Sequence, residues 1–205
     1  MRHLILVSII CFLTSCAQPH EEISSQSIVI PNVEINISDS RIEKTLDGTI
    51  FVSGEPFSGY LLTLNPEGYL ERRQSYFQGK LEGLSLIYFP NGQIKEQRTY
   101  KSGEKHGEHF GYYQNGQISF QYLFVDGFNE GNHREWFENG NLYADMNYKS
   151  GKEFGTQKIW REDGKLRANY IVRENGRRYG LQGIKRCTKL DGKTQTIDPY
   201  NESNN

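Results

Sequence analysis

The chain has 205 residues, with 24 Lys and Arg against 25 Asp and Glu, a formal net charge of -1. Without a basic excess it does not read as a dedicated nucleic-acid binder. The 21 Gly, 13 Tyr and 11 Phe stand against only Ala17, Ala144 and Ala168, a composition rich in turn and strand formers and poor in the best helix former, which points to β structure.

The chain opens MRHLILVSIICFLTSCAQ, with Arg2 and His3 ahead of an apolar run from Leu4 to Leu13. That run is too short to span a bilayer, which takes about 20 residues, and has the pattern of a secretory signal. Small residues directly precede Cys16, whose thiol suits lipid attachment; Leu13-Thr14-Ser15-Cys16 resembles a bacterial lipobox. The resemblance implies that residues 1–15 are removed and that Cys16 carries a diacylglyceryl thioether and an N-acyl group such as palmitate. Ala17 stands where such lipoproteins of Gram-negative bacteria would carry a retention Asp, which implies the outer membrane. Two or three acyl chains anchor a protein far more firmly than one. Cys11 leaves with the signal and Cys16 is capped, so Cys187 remains alone; with no neighbouring His it is expected to be an inert thiol. Residues 16–46 read as a tether, in which Val33, Ile35 and Ile37 alternate with Glu34 and Asn36 and suggest one short strand.

Internal repetition then sets the fold. Gly59, Gly83, Gly107, Gly131 and Gly155 recur every 24 residues, as do Gly68, Gly92, Gly116, Gly140 and Gly164. Gly79, Gly103, Gly127 and Gly151 keep the step before it slips one place to Gly176. Tyr76, Tyr100, Phe124, Tyr148 and Val172 lie eight after the middle glycine. Each unit reads as a hairpin with a tight turn at Asn91-Gly92, Asn115-Gly116, Asn139-Gly140 or Asp163-Gly164, dipeptides that tolerate positive φ at both central positions. The second strands alternate apolar and polar residues, the signature of an antiparallel sheet buried on one face. The first strands align Leu64 with an aromatic ladder of Tyr88, Tyr112, Trp136 and Trp160, expected to form the shared core between hairpins and otherwise a stacking platform for a ligand.

The segments YFPNGQIKEQRTYKSGEKHG, YYQNGQISFQYLFVDGFNEG and WFENGNLYADMNYKSGKEFG resemble the bacterial variant of the membrane occupation and recognition nexus (MORN) repeat, a family that includes envelope lipoproteins and antitoxin-like proteins. The resemblance runs from Phe57 to about Gly180, five units, with a half unit in GTIFVSGEPFSG. It implies an all-β, elongated, single-layer antiparallel meander of stacked 24-residue hairpins over residues 47–180, followed by a cap and disordered tail over 181–205. It also implies scaffolding, protein contact and lipid contact, with no active site. Leu64 and Asn65 in the first unit, and Arg161 with the slip in the fifth, depart from the pattern and suggest end caps.

His109 and His133 lie 24 apart, each two residues after the first glycine of its unit, with His106 nearby. They are weak candidates for a metal, because a zinc site needs three or four ligands and the neighbouring units place Ser85 and Gln157 there. The row is expected to be a solvated surface. No GxSxG elbow, Cys–His pair or nucleotide-binding glycine motif occurs, so neither catalytic residues nor a cofactor are expected. The expected function is a non-enzymatic, lipid-anchored module that contacts the membrane through Cys16 and presents a surface to an envelope protein, not to nucleic acid. The alternatives are an immunity or antitoxin role in the envelope, and a membrane- or glycan-contacting module.

Overall fold

The computed structural model describes residues 28–183. The signal segment and Cys16, and Cys187 with the C-terminal tail, lie outside the described residues. Within them all regular structure is β. The chain begins with β1 (Glu34–Asn36), β2 (Ile42–Lys44), β3 (Ile50–Val52) and β4 (Glu55–Pro56). Five hairpins follow: β5 (Gly59–Leu64) with β6 (Leu70–Phe77), β8 (Gly83–Tyr88) with β9 (Ile94–Lys101), β11 (Gly107–Tyr112) with β12 (Ile118–Val125), β14 (Gly131–Trp136) with β15 (Leu142–Lys149), and β16 (Lys152–Trp160) with β17 (Leu166–Val172). Short arms β7 (Lys80–Leu81), β10 (Glu104–Lys105) and β13 (Phe128–Asn129) sit between hairpins, and β18 (Arg178–Leu181) ends the array.

Sequential strands are neighbours throughout one long antiparallel sheet, in the order β5-β6-β8-β9-β11-β12-β14-β15-β16-β17-β18. β1 adds in parallel to the outer edge of β5, Ile35 opposite Leu61. The half unit does not extend this sheet. It forms a separate three-stranded sheet, β2-β3-β4, that closes the first end. Residues 34–44, expected within a tether, therefore supply two strands of a folded cap: Ile50, Phe57, Leu61 and Tyr76 form a buried cluster against which Ile35, Ile42, Val52 and Leu81 pack. Aliphatic alternation in so short a segment suffices because the first hairpin offers an apolar face to cover.

The two turn classes exchange the roles expected of them. At the Asn-Gly tips only glycine has positive φ (Gly92, +83°), and the Gly92 N–H donates to the carbonyl of Phe89 while Phe89 N–H donates to that of Gln93. This is a three-residue loop with its left-handed residue at glycine. Asparagine is there for its side chain: Asn91 Oδ1 accepts from Gln93 N–H at 3.0 Å, and Asn115, Asn139 and Asp163 repeat the bond. Between successive hairpins the two-residue turns with positive φ at both positions are instead Gln78-Gly79, Ser102-Gly103, Asp126-Gly127 and Ser150-Gly151. Both N–H groups of each are held by the preceding unit. Ser102 N–H donates to Glu82 Oε2 and Gly103 N–H to the carbonyl of Leu81; Ser150 and Gly151 do the same with Glu130 and Asn129.

The core differs from the expected one. Tyr88, Tyr112, Trp136 and Trp160 are half-buried, whereas the buried side chains of the hairpins include Tyr76, Phe124, Ala144, Ala168, Tyr170 and Val172 with the row Leu61, Ser85, His109, His133 and Gln157. Strand alternation explains the exchange: His133 and Trp136 are three residues apart on β14 and point to opposite faces. The short arms curl over the His133 face, as where Lys105 Nζ lies 4.8 Å from the centre of the Phe124 ring.

Candidate functional site

Two sites come from the repeat: an inner spine of rings and the uncovered opposite face. In the spine, rings from first and second strands alternate across the sheet. His109 lies 5.8 Å from Tyr100 and 4.6 Å from Phe124, and His133 lies 5.6 Å from Phe124 and 4.6 Å from Tyr148, centre to centre. Tyr122 stacks on His133 at 4.8 Å and on Phe120 at 4.6 Å.

The expected solvated row is thus buried, His109 3% exposed and His133 6%. The reason is a gap in the backbone ladder. β9 leaves its partner β11 beyond Gln97 and turns to pair with the arm β10, so the carbonyl of Thr99 points into the split. His106 N–H reaches it at 3.0 Å, and His109 Nε2 donates a second bond at 2.8 Å. His133 Nε2 serves the carbonyl of Leu123 at 2.8 Å, and Gln157 Nε2 that of Asn147 at 2.7 Å. At the fourth equivalent, Ser85 is too short to reach, and its buried Oγ has no partner. Burial holds both imidazoles below the ordinary histidine range, against the carbonyl bonds that favour the charged form. Burial, and then the bond to Glu135 Oε1 at 2.7 Å, push the Tyr122 phenol up.

A shared metal does not fit this geometry. The Phe124 ring stands between the two imidazoles, and each Nε2 is committed as a donor. Among the described residues no group of three or more His, Cys, Asp or Glu is arranged to hold a metal ion. His106 is part of the turn clamp, its Nδ1 accepting from Asp126 N–H at 3.4 Å.

The aromatic ladder lies on the other face. Tyr112 OH donates to Gln97 Oε1 at 3.3 Å, and the same face carries Lys95, Lys101, Lys149 and Lys158. Leu84, Val125 and Ile171 stand out from it, 49%, 41% and 49% exposed. Among the described residues no second layer covers them. A groove of about 880 Å³ at the capped end is lined by Lys44, Arg72 and Lys80 against Asp47, Glu71 and Glu104, a balanced set that selects no ligand charge.

Residues 81–102, 105–126 and 129–150 match the family model described as MORN repeat variant. The matched repeats begin at the short arms and contain Ser85, His109 and His133, so the spine belongs to the repeat itself. No curated protein matches the chain. Among solved structures, a chain of the GtfA/B complex bound to UDP and GlcNAc is similar at 13% identity with a TM-score of 0.24. The likeness covers 67% of this chain and 28% of that one, and carries no functional argument.

Proposed function

We propose that the protein is a non-enzymatic interaction scaffold of a bacterial cell envelope, at the outer membrane of a Gram-negative cell, anchored through lipid on Cys16. The observation that carries this reading is the uncovered face on which Leu84, Val125 and Ile171 stand among four lysines. Single apolar side chains spaced along an extended, otherwise polar sheet suit contact with an elongated partner protein. The MORN repeat match supports a repeat built for surface rather than for a catalytic cleft. The leader and Cys16 support the anchor.

A photo-crosslinking amino acid placed at Leu84, and separately at Ile171, tests the reading in intact membranes. A discrete adduct with the same protein from both positions is the expected result. Cys16→Ser is expected to abolish palmitate labelling and to leave the precursor uncleaved. Adducts at neither position, beside turnover of a small substrate by the purified protein, would reverse the reading.

A further inference from the structure

Two clefts at the hairpin tips are one site used twice. One lies between the first and second tips, with Leu70 as its wall, Tyr88 as its floor and Asn91 on its rim; the other lies between the fourth and fifth tips, with Leu142, Trp160 and Asp163 in the same places. Counterparts are separated by three 24-residue steps, and each cleft encloses about 470 Å³. Between them the tips of the third and fourth units are drawn together, as Tyr113 OH donates to the carbonyl of Trp136 at 2.8 Å and Asn115 Nδ2 to that of Glu138 at 3.3 Å.

We propose that these tip clefts bind a glycan of neutral, extended pyranose chains, one ring stacking on Tyr88 and another on Trp160. A sugar ring offers a C–H face with hydroxyls around its edge. The clefts offer the complement, an aromatic floor with an aliphatic wall and a rim that both donates and accepts. Asn141 Nδ2 faces the carbonyl of Glu162 across the second cleft at 3.5 Å, and the Glu162 carboxylate makes no ion pair among the described residues. Charge narrows the class. The Glu162 carboxylate disfavours an anion, while Asp163 is paired with Lys165 Nζ at 3.4 Å, and a cation has no carboxylate to meet in the Tyr88 cleft, where Pro90 and Asn91 occupy those places. A polyproline-type peptide presents carbonyl acceptors but no N–H, so it leaves the Glu162 carboxylate unserved, whereas a sugar hydroxyl donates to it. The clefts are six strand steps apart, roughly 30 Å at about 4.8 Å per step, so a long chain reaches both and a disaccharide only one. Tyr88 and Trp160 stand at the tip edge of the face proposed for protein contact, but Leu84, Val125 and Ile171 line neither cleft, so crosslinking at Leu84 or Ile171 and sugar binding by Trp160 variants test the two readings separately.

Cellohexaose and chitohexaose titrated into the full chain, followed by calorimetry, are the test. Saturable binding of at least one, tighter than that of its disaccharide, is expected. Trp160→Leu keeps apolar volume but removes the ring, and is expected to weaken binding about tenfold, with Trp160→Phe close to wild type. Saturation transfer from protein aromatic protons to sugar C–H protons reads the same contact in the unaltered chain. No saturable binding of either hexasaccharide, unchanged affinity in both Trp160→Leu and Tyr88→Leu, absence of saturation transfer, or tighter binding of decaproline or choline overturns the proposal.

Discussion

His109 Nε2 donates to the backbone carbonyl of Thr99 at 2.8 Å, ten residues back along the chain, and so completes the ladder where β9 and β11 part. The split exists because the two-residue turn and its arm need room between successive hairpins. A side chain therefore adds a bond to the carbonyl at the split in three of the units, through His109, His133 and Gln157. His109→Ala removes the bond and opens space among Tyr100 and Phe124, and is expected to cost about 2–3 kcal/mol in a denaturant melt. His109→Gln is expected to recover most of the loss, since Gln157 makes the same bond at 2.7 Å in the fifth unit.

Burial lowers both histidines, so the unfolded chain takes up protons near pH 6.5 that the native chain refuses. Below that pH the unfolded state binds more protons, and stability falls as pH falls. The groups around them are mixed: Lys105 and Arg98 disfavour the charged form of His109 while Glu96 favours it, and Glu135 favours that of His133. Two such groups give a slope of at most about 2.7 kcal/mol per pH unit. Denaturant midpoints measured from pH 7.5 down to pH 5 should decline, and the His109→Gln, His133→Gln double variant should flatten the decline.

Ser85 and Ser75 are both buried hydroxyls with opposite prospects. Ser75 Oγ bonds the carbonyls of Glu82 and Leu84, and Ser75→Ala is expected to cost about 1–2 kcal/mol. Ser85 Oγ has no partner, so Ser85→Ala should be neutral or stabilising in the same melt.

Gly79 and Gly92 share a left-handed backbone but not their surroundings. A Cβ at Gly92 meets nothing within 4 Å, whereas one at Gly79 meets Thr49 Cγ2 at 2.6 Å and the Ile50 carbonyl oxygen at 2.9 Å. Gly92→Ala is expected to cost about 1–2 kcal/mol from the backbone alone. Gly79→Ala should cost at least twice that, because its N–H and carbonyl also bind Phe57 and Ile50 of the cap. Amide exchange over residues 42–56 would show the cap released in the second variant and not in the first.

Phe124 and Trp136 test which row is core. Phe124→Ala is expected to cost about 3–5 kcal/mol, as for other buried large rings. Trp136, half-buried on the opposite face, should cost less than half as much. Equal losses in thermal or denaturant melts would contradict the spine.

The repeat, its period and its all-β character were legible because glycine and alternation report backbone demands directly. The face assignment was legible only in the second strands, as where Leu142, Ala144, Met146 and Tyr148 alternate with Tyr143, Asp145 and Asn147. In the first strands the signal inverts: β14 buries His133 and leaves Trp136 half-covered, so hydrophobicity alone selects the wrong row. The hint was the row itself, Ser85, His109, His133 and Gln157, polar side chains kept at one register position. Recognising it as buried requires knowing that a carbonyl with room for a second donor lies beside it, which depends on the pairing of β9 with β10. The cap was legible in part: the alternation of Val33, Ile35 and Ile37 marks β1, whereas strands as short as β2 and β4 carry too few residues for a pattern.

The slip from Gly151 to Gly176 changes more than a count. The extra residue converts a two-residue turn into the three-residue loop of the tips, with Gly176 N–H donating to the carbonyl of Arg173 at 2.8 Å and Asn175 Oδ1 accepting from Arg177 N–H at 3.0 Å. No arm follows, and β18 pairs directly with β17, Gly180 opposite Tyr170. Growth of the molecule is thereby quantised. Whole units of 24 residues can be spliced in or out between the cap and this loop with every clamp and ring finding its successor, while a change of any other length arrests propagation where it falls.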